Sequence, residues 1–301
     1  MNSKLIALLT VGIIASGLIY THPAYAHNFG GDESASWLAK VSEIKTEANF
    51  ISKHVGQKDV ISYYSDALGE YWNTNDTREM GERTTLLATE IPTAINATIS
   101  DAQAGNQSLV NDDVAKLGGY LDESVPVRVD KNKLNNSTVR ALSVTFVLKE
   151  SLEKYGDAIN ATVNLNDMSQ MNVSAGSNMT GMSSGMSMVT IVDQNKYENA
   201  IGLAIAAQNM FTDVATKNLD KSDANSKIST AFTKLVQDLN NKADAQTIMN
   251  DVHVKMHPVF IDGYGLNLVT PVPEFPLPVI LTVISIAGVV IATRFKSNLG
   301  F

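Results

Sequence analysis

Two hydrophobic runs, one at each end, confine whatever folds in this chain to the residues between them. Leu5–Tyr20 is mostly apolar behind a short charged lead, Met1–Lys4, and Ala24-Tyr25-Ala26 supplies the small residues of a signal-peptidase site. Pro276–Thr293 is an uncharged run of 18 residues, close to the length a helix needs to cross hydrocarbon, and Arg294 and Lys296 follow at once. Those cations are expected on the cytoplasmic side. The expected product is an extracellular domain starting at His27, held at the cell membrane by one C-terminal transmembrane helix. The expected plan is a signal peptide over 1–26, a helical region over 27–160, a Met/Ser/Gly-rich flexible segment over 161–192 and a second helical region over 193–262. A linker over 263–275, the membrane helix over 276–293 and a short cytoplasmic tail over 294–301 complete it.

The part between the runs has to hold itself together by burial alone. Residues 27–270 number 244, enough for one large or two small domains, and the chain has no cysteine. Disulfides, thiolate metal sites and cysteine nucleophiles are therefore excluded. Setting aside Lys4, Arg294, Lys296 and Glu274 leaves 20 basic and 30 acidic residues in that region, a net charge of −10. Such a surface repels nucleic acid and attracts cations. Sequons at Asn75, Asn96, Asn106, Asn135, Asn136, Asn160, Asn172 and Asn178 are candidates for glycosylation, although a chain rich in Asn, Ser and Thr produces some by chance.

The tail carries a resemblance. Val272-Pro273-Glu274-Phe275-Pro276, a hydrophobic helix and then Arg294-Phe295-Lys296 resemble the C-terminal anchors of archaeal surface proteins, particularly those of ammonia-oxidising (thaumarchaeal) lineages. About 30 residues are covered. The likeness implies a cell-surface address, with the tail either kept as an anchor or exchanged for a lipid, and it implies no chemistry.

Inside those ends the apolar period is helical. Trp37, Val41, Ile44, Ala48 and Ile51 make one stripe, and Ile61, Tyr64, Ala67, Leu68 and Tyr71 mark a second helix over 59–72. A third is expected from Thr77 towards Ile99 with a kink at Pro92, followed by a short one over 112–121. Ser137 or Thr138 opens another, with Val139, Leu142, Phe146, Leu148, Leu152 and Tyr155 as its buried set. After low-complexity sequence over 164–188, helices are expected over 195–219, from Ser222 or Asp223 to Ala243, and from Asp244 to about His257. Short strands within 126–129 or 190–192 would be accessory. Tyr64, Asp66, Asp76, Met80, Leu87 and Ile91 are echoed by Phe211, Asp213, Asp223, Ile228, Leu235 and Leu239. The echo reads either as two related helical halves or as coincidence among similar amphipathic helices. The fold class is an all-α helical bundle in both cases. These long polar helices, with Tyr-x-Asp near an Asn/Asp turn, also resemble helical domains found beside periplasmic iron-uptake systems, and no site residue transfers from them.

Chemistry-bearing residues are few. His253 and His257 are spaced i, i+4, which puts two imidazoles on one helix ridge with Met249 a turn earlier and Met256 alongside. Imidazole with thioether suits copper. The alternative is a helix that ends at His257, before Pro258, with His253 solvated. His27 would offer a free amine and an imidazole after signal cleavage and so resembles the amino-terminal histidine of copper-brace proteins, unless the new terminus is disordered. His54 continues the first stripe and reads as a satisfied, partly buried histidine. Met168, Met171, Met179, Met182, Met186 and Met188 form a thioether-rich tract suited to copper(I), or else a flexible linker. No hydrolase, phosphate-binding or nucleic-acid motif accompanies them. The expectation is a non-catalytic surface protein that binds or delivers copper, with membrane and cell-envelope or metal-transport partners. A structural or adhesion role in the envelope is the first alternative, and a copper oxidoreductase built on His27 the second.

Overall fold

The computed structural model describes residues 32–167 and 188–266, which belong to one compact unit closing at Leu266. Helix α1, Glu33–Lys53, is the axis of this unit. Its expected stripe is buried, and burial extends past it to Ala35, Ala39, Glu43, Glu47 and Phe50. A helix buried over most of its circumference, with only a strip through Lys45 and Asn49 left towards solvent, is a central helix rather than an amphipathic surface one. Asp32 starts it by accepting from the N–H groups of Ser34 and Ala35, at 2.9 and 3.1 Å.

The next four helices pack with α1 around one core. They are α2 (Lys58–Tyr71), α3 (Thr74–Gly81), α4 (Thr85–Gln103) and α5 (Gln107–Arg128). Trp37 and Trp72 meet edge to face there at 6.0 Å, and Trp37 Nε1 donates to Ser124 Oγ. Asn73 and Asp76 close a reciprocal capping box at the start of α3. The helix expected to run through Pro92 instead breaks earlier, at Gly81–Thr84, where the N–H groups of Arg83 and Thr84 both turn back to the Met80 carbonyl. Pro92 lies inside α4, and Pro126 lies in the last turn of α5, which is longer than the expected 112–121 segment.

The second half runs from α6 (Ser137–Ala158) to α7 (Gln194–Lys217), a 3-10 turn (Leu219–Lys221) and α8 (Ser222–Asn240). A short α9 (Ala245–Met249), a π-helical segment (Asn250–Met256) and α10 (His257–Tyr264) follow. Of the expected buried set on α6, Val139, Leu148, Leu152 and Tyr155 are buried, while Leu142 and Phe146 are half-buried. Phe211 anchors this half, its ring 5.5–5.9 Å from those of Phe232, Phe260 and Tyr264. Tyr155 Oη donates to the Ala243 carbonyl at 2.6 Å.

Among the described residues the secondary structure is wholly helical, and the short strands expected within 126–129 and 190–192 are absent. At the echoed positions Tyr64, Met80, Leu87 and Ile91 are buried, as are Phe211, Ile228, Leu235 and Leu239. Asp76 and Asp223 differ, the first closing a capping box and the second lying exposed on Lys227. Helices α6 and α7 pack closely on each other and both pack on α1. Gly202 allows this, because a Cβ there would meet Phe50 at 2.4 Å. Among the described residues no helix is long and apolar enough to cross a membrane. The leader over 1–26 and the anchor over 276–293 lie outside them.

Candidate functional site

His253 and His257 are brought together, though not as an exposed ridge on an ordinary helix. His253 is only 3% exposed and sits in the π-helical segment, whose wider turn is a deformation frequent at functional sites. The helix does not stop at His257. Pro258 stands in the first turn of α10, where its missing N–H is no loss. His253 Nδ1 faces His257 Nδ1 at 3.1 Å, with ring centroids 4.8 Å apart. His253 Nε2 lies 2.6 Å from the Leu165 carbonyl oxygen.

These contacts determine the tautomers. A carbonyl only accepts, so His253 Nε2 carries the hydrogen and its Nδ1 is bare when the ring is neutral. His257 Nδ1–H must then be the donor across the pair, which leaves a lone pair on its Nε2. Burial holds both rings below the usual imidazole range. At His253 the Leu165 carbonyl partly opposes it, and at His257 burial and the neighbouring ring together take the value to about 4. The pair is thus neutral imidazole, the form that binds metal.

The other expected donors are distributed differently. Met249 and Met256 are fully buried in the core, and Met188 is 71% exposed where the chain re-enters α7's lead-in. His27, Met168, Met171, Met179, Met182 and Met186 lie outside the described residues. His54 caps α1 and stands alone from the pair's contacts, with Nε2 3.3 Å from Glu198 and its ring stacked on Tyr64. Among the described residues no three His, Cys, Asp or Glu side chains converge to hold a metal. Two residues before His253, Asp251 faces the carboxyl of Asp238, both buried. Burial and that contact raise Asp251 to about 6 against the opposing Lys255.

A buried polar layer on α1 was missed in the sequence. Glu43 and Glu47 of α1 and Asn199 of α7 are 0% exposed, and Glu150 of α6 is 2% exposed. Asn199 Nδ2 lies 2.8 and 2.9 Å from the two carboxyl oxygens of Glu47. Lys154 is held on Glu150 at 3.1 Å, and although burial works against its charge, Glu150 keeps it firmly ionised. Burial raises Glu47 to about 8 in spite of the Asn199 contact. Tyr71, on α2, is pushed well up by burial and by the charges of Glu43, Glu150 and Glu47. The available signal was Glu47 itself, which stands three residues after Ile44 and four before Ile51, on the apolar stripe.

No protein-family model matches the chain, and no curated protein and no solved structure matches it either.

Proposed function

We propose that this chain is an extracellular, membrane-anchored, non-catalytic protein that binds or delivers copper, and that His253 and His257 hold the ion. The observation carrying this reading is the meeting of two neutral imidazole Nδ1 atoms at 3.1 Å. Two nitrogens bound to one ion at about 2.0–2.1 Å have this separation when they subtend an angle of about 100°. Capture moves the shared proton from His257 Nδ1 to its Nε2, so neither ring changes charge and the Leu165 contact survives. Imidazole and thioether together suit copper, whereas calcium and magnesium demand oxygen. The Leu165 carbonyl contacts His253, and Leu165 stands three residues before Met168 in the sequence. Address and anchoring rest on the terminal runs described above.

The test is copper analysis of the full chain, isolated from membranes with its native amino terminus. About one or more bound copper ions are expected, with loss in His253→Ala and in His257→Ala and weaker retention on removing 168–187. A metal-free wild type, or a double histidine variant that keeps its copper, would refute the reading. The structural envelope role draws on one observation, that all six described sequon asparagines are exposed. Self-association or binding to envelope polymers by a copper-free protein would favour it.

A further inference from the structure

We infer that Glu47 and Asn199 form a proton-dependent clasp between α1 and α7, closed by a hydrogen bond from the carboxyl O–H to the amide oxygen when the carboxyl is protonated and weakened when it ionises. The clasp lies apart from the histidine pair and does not depend on the copper reading.

Asn199 carries an unmatched atom. Asn199 is fully enclosed, its Nδ2 shared between both Glu47 oxygens, and its Oδ1 has no hydrogen-bond partner. A buried amide oxygen without a donor is costly, and nearly every such group in a protein finds one. An ionised Glu47 has no hydrogen to give it. A protonated Glu47 does. Turning the amide by half a rotation, an orientation that heavy-atom positions alone do not distinguish, puts Oδ1 in the place of Nδ2, 2.8 and 2.9 Å from the two Glu47 oxygens. There the carboxyl O–H donates to Asn199 Oδ1. The acid hydrogen and the amide oxygen are then matched, and the buried carboxyl carries no charge.

The neighbours favour the same state. On α1, Glu43 lies one turn before Glu47. Helix α2 presents Tyr63, Glu70 and Tyr71, and α6 presents Glu150 with Lys154. The Lys154 ammonium, the cation acting on Glu47, is already engaged by Glu150. Helix α7 adds Glu198 and its capping residue Asp193, both felt at the adjoining Tyr64. Helix α5 meets α1 through Lys45 with Asp122 and Ser52 with Asn111, two positions before and five after Glu47, and α4 contributes the self-bonded Thr98. Acidic groups thus outnumber the available cations around this carboxyl, and burial strengthens their opposition to its charge.

The direct test is isotope-edited infrared spectroscopy of the full chain, with the Glu47 band assigned by its loss in Glu47→Gln. A protonated carboxyl band at pH 6.5 that disappears around pH 8 is expected. Amide hydrogen exchange, corrected for intrinsic rates, is expected to lose about tenfold protection in α1 and α7 between pH 7 and pH 9. Glu47→Gln, whose neutral amide can pair with Asn199, should keep its protection over that range. A carboxylate band at pH 6.5, or an equal loss of protection in Glu47→Gln, would overturn the clasp. Should the variant fail to fold, site-specific labelling of Glu47 in the wild type decides by the same band.

Discussion

Replacing Gly202 by alanine sets helix propensity against packing, and the two give opposite signs. Gly202 is in the interior of α7, where glycine is about 1 kcal/mol worse than alanine, so propensity alone makes Gly202→Ala stabilising by that amount. Its added Cβ would however stand 2.4 and 2.5 Å from Cε2 and Cζ of Phe50 on α1, and 3.4 Å from the Thr46 methyl. The ring has little freedom to retreat. Phe50 is 7% exposed and stacks on Tyr64 with centroids 4.9 Å apart and planes 5° from parallel. Overpacking of this kind costs roughly 1–3 kcal/mol, and disturbing the aromatic stack removes roughly 0.5–1.5 kcal/mol. After the propensity gain, Gly202→Ala is expected to destabilise by roughly 1–3 kcal/mol. Urea unfolding followed by circular dichroism measures it, and adding Phe50→Leu should recover part of the loss through a coupling term. A variant as stable as wild type, or one with no coupling to Phe50→Leu, would refute close α1–α7 contact at Gly202.

Three other outcomes are expected from unfolding measurements. Tyr155→Phe strands the buried Ala243 carbonyl and should cost about 1–2 kcal/mol with the core otherwise intact. Asn73→Ala opens the capping box of α3 and should cost about 1 kcal/mol. The third concerns Glu47, raised in the folded chain to about 8 from an ordinary 4.5. From about pH 4.5 the unfolded chain loses this proton while the folded chain keeps it, so stability falls with rising pH and levels off above about pH 8. At about 1.4 kcal/mol per pH unit the full span is at most about 5 kcal/mol, and Glu47→Gln should flatten that part of the stability curve. A wild-type curve that rises between pH 5 and pH 8, with the variant parallel to it, would contradict the assignment.

Much of the fold was legible because its helices carry a 3.6-residue apolar period, which burial in a bundle requires. The first stripe on α1 and the buried Tyr64 and Phe211 are examples. Boundaries were less legible. The break at Gly81–Thr84 depends on two N–H groups turning to a fully buried Met80, a long-range consequence of where that side chain packs, while Pro92 was absorbed within α4. At the histidines, spacing pointed to proximity but not to burial. Widening to a π-helical turn and the approach of Leu165 from 88 residues away both arise from tertiary packing.

The sequence by itself determined the helical class, the absence of thiol chemistry and the pairing of His253 with His257, because residue identity and local spacing are properties of the chain. Only the tertiary structure decided that burial of α1 reaches well beyond its apolar stripe, which histidine nitrogen is bare, and that Glu47 lies against Asn199 from 152 residues away. Burial and hydrogen bonding there depend on which helices meet. A glutamate on an apolar stripe becomes a proton-holding group only after a second helix has removed its water and supplied a neutral amide instead.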